Sequence, residues 1–131
     1  MQEFGGSLTA GPASIKGNIY AGKAIGQNFG QISQFGDIKS VGAWAQAGYN
    51  VNKRWTAYIF AGMDKPKKGD VIAAKQTRVK NLMIAPSLMY NLGPYGFNVE
   101  WLRDRLTTVA ASGAETNTNG DQLALSVIFK F

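Results

Sequence analysis

The feature that most limits what this chain can become is a side-chain period of two that runs through most of its length. Counting back from the end, Phe131, Phe129, Val127, Leu125 and Leu123 share one parity, while Lys130, Ser126, Ala124 and Gln122 share the other, with Ile128 the exception. Strand side chains alternate between faces, whereas a helix repeats at three and four, so this pattern reads as strand. The same signature recurs upstream. Val41, Ala43, Ala45, Ala47, Tyr49 and Val51 alternate with Ser40, Gly42, Trp44, Gln46, Gly48 and Asn50. The next segment sets Trp55, Ala57, Ile59 and Ala61 outward and Arg54, Thr56, Tyr58 and Phe60 inward. Residues 13–24, 81–90 and 95–105 behave alike, which gives about six strands and an all-β class.

Connections sharpen the reading. They are expected to run long (25–36), short (50–53), long (64–77), short (91–94) and long (110–120). Strict alternation of loop length, with strands longer than the 5 or 6 residues common in soluble sheets, predicts an antiparallel up-and-down transmembrane β-barrel, or the C-terminal portion of one. In such a barrel only the outward parity meets lipid, so a modest mean hydropathy is no obstacle. The barrel strands occupy 13–131; residues 1–12 carry only a faint alternation and are expected to be either an irregular N-terminal segment or the remnant of a further strand. Beyond Trp101 the pattern loosens, because Arg103 and Arg105 continue the apolar parity. Either the strand has left the apolar zone there or a bulge shifts its register.

Composition removes whole classes of chemistry. With 131 residues the chain suits one domain, and it holds neither Cys nor His. Disulfides, thiol nucleophiles, imidazole acid–base chemistry and Cys or His metal sites are thereby excluded. No cofactor, no metal and no enzymatic activity are expected; Ser87 and Ser126 have no base at hand. No run is apolar enough for a membrane helix, and the opening MQEFGGSLTAG does not resemble a secretory signal. Lys and Arg outnumber Asp and Glu by 14 to 8, giving +6.

Candidate functional residues follow from parity and position. Lys16, Arg54, Arg78, Glu100, Asp104 and Lys130 fall inward or near a rim, where they would line a lumen; the two carboxylates either pair with arginines across strands or simply solvate an ordinary barrel interior. Tyr49 and Trp55 flank one short turn, and Tyr90 and Tyr95 the other, as an interfacial girdle requires. Inward glycines such as Gly22, Gly42, Gly48 and Gly96 leave room for Tyr20, Trp44, Tyr58 and Phe60. The basic residues Lys65, Lys67, Lys68, Lys75, Arg78 and Lys80 lie around one long loop, as an anion funnel, a lipopolysaccharide contact or merely an exposed face. Nucleic acid is not an expected partner, since the aromatics sit largely on the apolar parity.

The stretch Gln122 to Phe131 resembles the closing strand of Gram-negative outer-membrane β-barrel proteins, and WTAYIFAGMDKP (55–66) and YNLGPYGFNVEW (90–101) resemble the C-terminal region of porin-like members. The resemblance implies a bacterial outer-membrane location, with lipid and lipopolysaccharide around the wall. Leu123, Leu125, Val127, Phe129 and Phe131 would be the signal read by the barrel assembly machinery. It also implies passive diffusion of small hydrophilic solutes; a small non-conducting barrel acting as a structural or interaction module is the alternative. About six strands fall short of the 8 or more of a complete bacterial barrel. A missing N-terminal part of the barrel, or a homo-oligomer, is expected to supply the rest.

Overall fold

The computed structural model describes residues 2–23 and 37–129. Within them the chain forms β1 (Gln2–Ala10), β2 (Ala13–Lys23), β3 (Lys39–Asn50), β4 (Trp55–Pro66), β5 (Arg78–Leu92), β6 (Tyr95–Val109) and β7 (Glu115–Phe129), with a short helix α1 (Lys68–Ala73) between β4 and β5. Each strand pairs antiparallel with the next, so the order across the sheet is the order along the chain. The result is an all-β, up-and-down meander of seven strands with little helix. Among the described residues β1 and β7 do not pair, and the sheet is open.

One end of the sheet is made of tight reversals, at Gly11 and Pro12, at 51–54, and at Gly93 and Pro94. Gly93 takes φ +57°, a left-handed conformation that a side chain would strain, which is why glycine closes this turn. Asn52 closes its neighbour by accepting from the backbone N–H of Arg54 (2.9 Å) and Trp55 (3.0 Å). The opposite end carries the connection holding α1 and a five-residue link, 110–114. The connection 25–36 lies outside the described residues, apart from its flanks.

The structure decides two alternatives the sequence left open and corrects one connection. Residues 2–10 form a full strand, paired from Gln2–Ala21 to Ala10–Ala13, which raises the count to seven. The expected long connection 110–120 is instead only 110–114, because β7 starts at Glu115. Residues 115–121 are polar on both parities, yet their backbone continues the ladder opposite Val109 to Arg103. The suspected bulge is absent from β6, whose pairing with β7 runs without a shift; the irregularity falls in β5 between Arg78 and Lys80. Arg103 and Arg105 therefore keep their parity because the strand has passed beyond the apolar zone.

A small core sits at the long-connection end. Val71 of α1, fully buried, packs with Ile38, Val79 and Val109, and Ile72 adds to the cluster. A six-residue helix is too short to hold itself by propensity. Docking holds it: Lys67 N–H donates to Lys39 O (2.8 Å), Lys39 N–H to Asp70 Oδ2 (3.1 Å), and Lys68 Nζ to Gly113 O (2.6 Å). The α1 connection is thus tied to the start of β3 and to the 110–114 link at one end of the sheet.

Candidate functional site

The two faces of the sheet differ in kind, and register shows how completely. Phe4 faces Ile19, Leu8 faces Ile15, Ala47 faces Ile59, Ala61 faces Ile84, Leu88 faces Val99, and Trp101 faces Leu123. All stand on one side, so the apolar parities of seven separate strands merge into one surface. Among the described residues no second layer covers it: Phe4 is 78% exposed, Ile59 52% and Leu125 79%. Folded monomers in water rarely leave more than a few hundred Å² of contiguous apolar surface bare. This one crosses the whole sheet.

At the tight-turn end the apolar face finishes in aromatic rings. Trp55 and Tyr90 have ring centroids 4.8 Å apart, Tyr95 and Phe129 5.3 Å, and Tyr95 and Phe97 6.5 Å, with Tyr49 on the same face and 53% exposed. The four girdle candidates therefore share one face and one end, and Phe97 and Phe129 join them. Arg54 lies at the same rim, where its Nη1 donates to Tyr90 Oη (3.3 Å). Leu123, Leu125 and Val127 stand on the apolar face opposite Trp101, Val99 and Phe97. Lys130 and Phe131 lie outside the described residues.

The second face is polar and aromatic, and it is the more shielded of the two. A single layer can shield one face only by curving toward it. Close packing across this face explains two of the glycines. A Cβ on Gly42 would lie 2.1 Å from the Tyr20 ring, and one on Gly48 2.8 Å from that of Tyr58. Trp44 and Phe60 stack with centroids 6.1 Å apart. Asp64 Oδ1 accepts from Tyr20 Oη and Ser40 Oγ, each at 3.3 Å. Lys16 sits here between Ser7 and Gln46, and Arg78 opposite Thr108 at the far rim. Glu100 stands between Ser87 and Ala124, and Asp104 between Met83 and Gly120. No arginine pairs with either carboxylate among the described residues; the arginines beside them, Arg103 and Arg105, point to the other face. Four buried oxygens of this face, Asn18 Oδ1, Asn81 Oδ1, Asn98 Oδ1 and Asp104 Oδ1, have no hydrogen-bond partner among the described residues.

Sequence reasoning missed a row of cations on the apolar parity. Lys23 faces Lys39, Lys65 faces Val41, Arg105 faces Leu82, and Lys80 faces Thr107. All five cations lie on the apolar face where it meets the long-connection end. Arg103 lies there too, with Nε 4.0 Å from Asp121 Oδ1, and Arg105 Nε donates to Asn119 Oδ1 (3.1 Å). Arg105 is visible in the sequence as a cation continuing an apolar parity, whereas Lys65 reads only as part of the basic cluster around a long loop; the register is what aligns them. Among the described residues no group of three or more His, Cys, Asp or Glu is placed to hold a metal ion, and no helix is long and apolar enough to cross a membrane. Comparison with family models, curated proteins and solved structures found no match.

Proposed function

We propose that this sheet is part of the wall of a bacterial outer-membrane β-barrel whose shielded polar face lines a passage for small hydrophilic solutes. The observation that carries the reading is the bare apolar face spanning all seven strands, bounded by rings at the tight-turn end and by cations at the other. Hydrocarbon is the surrounding that makes such a face stable, and aromatic girdles belong at its borders. In hydrocarbon the unpaired edges of β1 and β7 are costly, so the wall is completed by further strands. On this reading the C-terminal alternation engages the barrel assembly machinery, and the wall works without catalysis or cofactor. On this reading the described polar face would turn Glu3, Asp64, Glu100 and Asp104 to the passage against Lys16 and Arg78, with Arg54 at its rim, a small acidic excess that would favour cations.

A second reading has its own support. Tyr20, Tyr58, Trp44 and Phe60 fill space on the polar face, and in a barrel of about 8 strands side chains fill the interior. A narrow barrel of this kind would be a non-conducting structural or interaction module. Partitioning of the native chain into the outer-membrane fraction tests the common premise; recovery as a soluble monomer overturns both readings. Single-channel recording then separates them, with cation-selective steps supporting a pore and a silent bilayer supporting the module.

A further inference from the structure

Residues 115–121 of β7 lie past the apolar zone, polar on both parities and exposed throughout. They hold the chain's one Asn-Gly pair, Asn119 and Gly120. Asn119 stands opposite Arg105 in the β6–β7 ladder, and Arg105 Nε donates to its Oδ1 at 3.1 Å. Arg103 and Asp121 form the next pair on the same face. A guanidinium on the amide oxygen draws electron density from Asn119 Cγ and stabilises negative charge developing on that oxygen. Gly120 supplies the second half of the arrangement. A Cβ there would meet nothing within 4 Å, so the space beside it is open, and glycine reaches conformations closed to other residues. Bringing the Gly120 backbone N onto Asn119 Cγ takes the chain out of the extended strand conformation. β7 is an edge strand among the described residues, and every residue of its first half is exposed, so local opening costs little there.

We propose that Asn119 is a site of self-modification, at which the Gly120 backbone N attacks Asn119 Cγ and the side-chain amide is converted to a carboxylate. The bond from Gly120 N to Cγ forms as the Gly120 amide gives up its proton. The bond from Cγ to Nδ2 breaks, and ammonia leaves with that proton, giving a five-membered imide. Water then opens the ring. Addition at Cγ breaks the new bond and leaves aspartate; addition at the main-chain carbonyl breaks the original peptide bond and leaves isoaspartate, whose backbone runs through Cγ. Water enters, ammonia leaves, and nothing is oxidised or reduced. Either product sets a carboxylate at the position facing Arg105, beside the Arg103–Asp121 pair, and lowers the net charge of that border by one. Isoaspartate also adds one carbon to the main chain, which disturbs the pairing of Gly120 with Asp104. This chemistry needs neither a pore nor a closed barrel and stands apart from the membrane reading.

The test ages the full chain in non-ionic detergent and heavy-oxygen water at neutral pH, and follows it by peptide mass spectrometry with fragmentation. Asn119 is expected to gain one mass unit from the exchange of NH2 for OH, plus the label, and to yield isoaspartate alongside aspartate. Asn117 is the internal control, since it is equally exposed on the same face of β7 but precedes the β-branched Thr118. Conversion at Asn119 no faster than at Asn117 overturns the proposal, and aspartate without isoaspartate overturns the imide route. Gly120→Ala places its Cβ in open space and leaves the fold intact; it is expected to slow conversion about fivefold, the factor that glycine's extra conformational freedom is worth. An unchanged rate in that variant also overturns attack by the Gly120 N. Arg105→Gln is expected to slow conversion roughly two- to tenfold, the range of one hydrogen bond. A rate that stays the same or rises overturns the part assigned to the guanidinium.

Discussion

Gly42 shows how one atom fixes the polar face. The Tyr20 ring occupies the place where a Cβ would stand, 2.1 Å away, and Tyr20 Oη reaches Asp64 from there. Gly42→Val is expected to cost about 1–3 kcal/mol through overpacking, read from denaturant midpoints, and Tyr20→Ala in the same chain is expected to recover part of that loss. On the opposite side the environment of each residue can be tested by a single charge. Ile59→Arg is expected to cost about 2–4 kcal/mol in vesicles if the face lies in hydrocarbon, and within about 0.5 kcal/mol if it lies in water. Gln46→Glu, on the polar face opposite Lys16, is expected to change stability little in either case. The polar parities were legible from alternation alone. What could not be read was the cation row, because Lys23, Lys39, Lys65, Lys80 and Arg105 become neighbours only through pairing across strands far apart in sequence.

Among the elements, α1 is the one held entirely by its surroundings. The backbone N–H of Lys39, assisted by Lys67, holds the Asp70 carboxyl below the usual carboxylate range. A lowered folded value means the contribution is present above the unfolded value and is lost as pH falls through the folded one. Protection of the residue 68–73 amides, taken relative to the intrinsic exchange rate at each pH, is therefore expected to hold at neutral pH and to fall only below about pH 4. Asp70→Asn removes that pH step if the carboxylate is its origin. Lys68→Ala, which loses the contacts to Gly113 and Glu115, is expected to speed exchange in α1 and in 110–114 together. Strands with one apolar parity, β2 to β6 and the last half of β7, were legible because hydropathy alternates along them, whichever face is the shielded one. β1 was faint since Gly5, Gly6 and Ser7 interrupt its pattern, and residues 115–121 were hidden because both parities there lie past the apolar zone. The helix had no sequence signal of its own: its only buried anchor is Val71, and that burial is made by β5, β6 and Ile38.

For the molecule as a whole, the bare face and the two free edges make water a poor solvent. Without detergent the chain is expected to self-associate, and sedimentation in detergent against detergent-free buffer checks this. A monodisperse monomer in plain buffer would contradict it. The open edges carry a further constraint, set by direction alone. Six successive antiparallel pairings leave β1 and β7 pointing the same way. Joining them edge to edge, or joining copies related by rotation about the barrel axis, would create a parallel seam at every junction. A ring that stays antiparallel throughout must therefore receive an odd number of additional strands, and a lone hairpin, which brings two, can never close it.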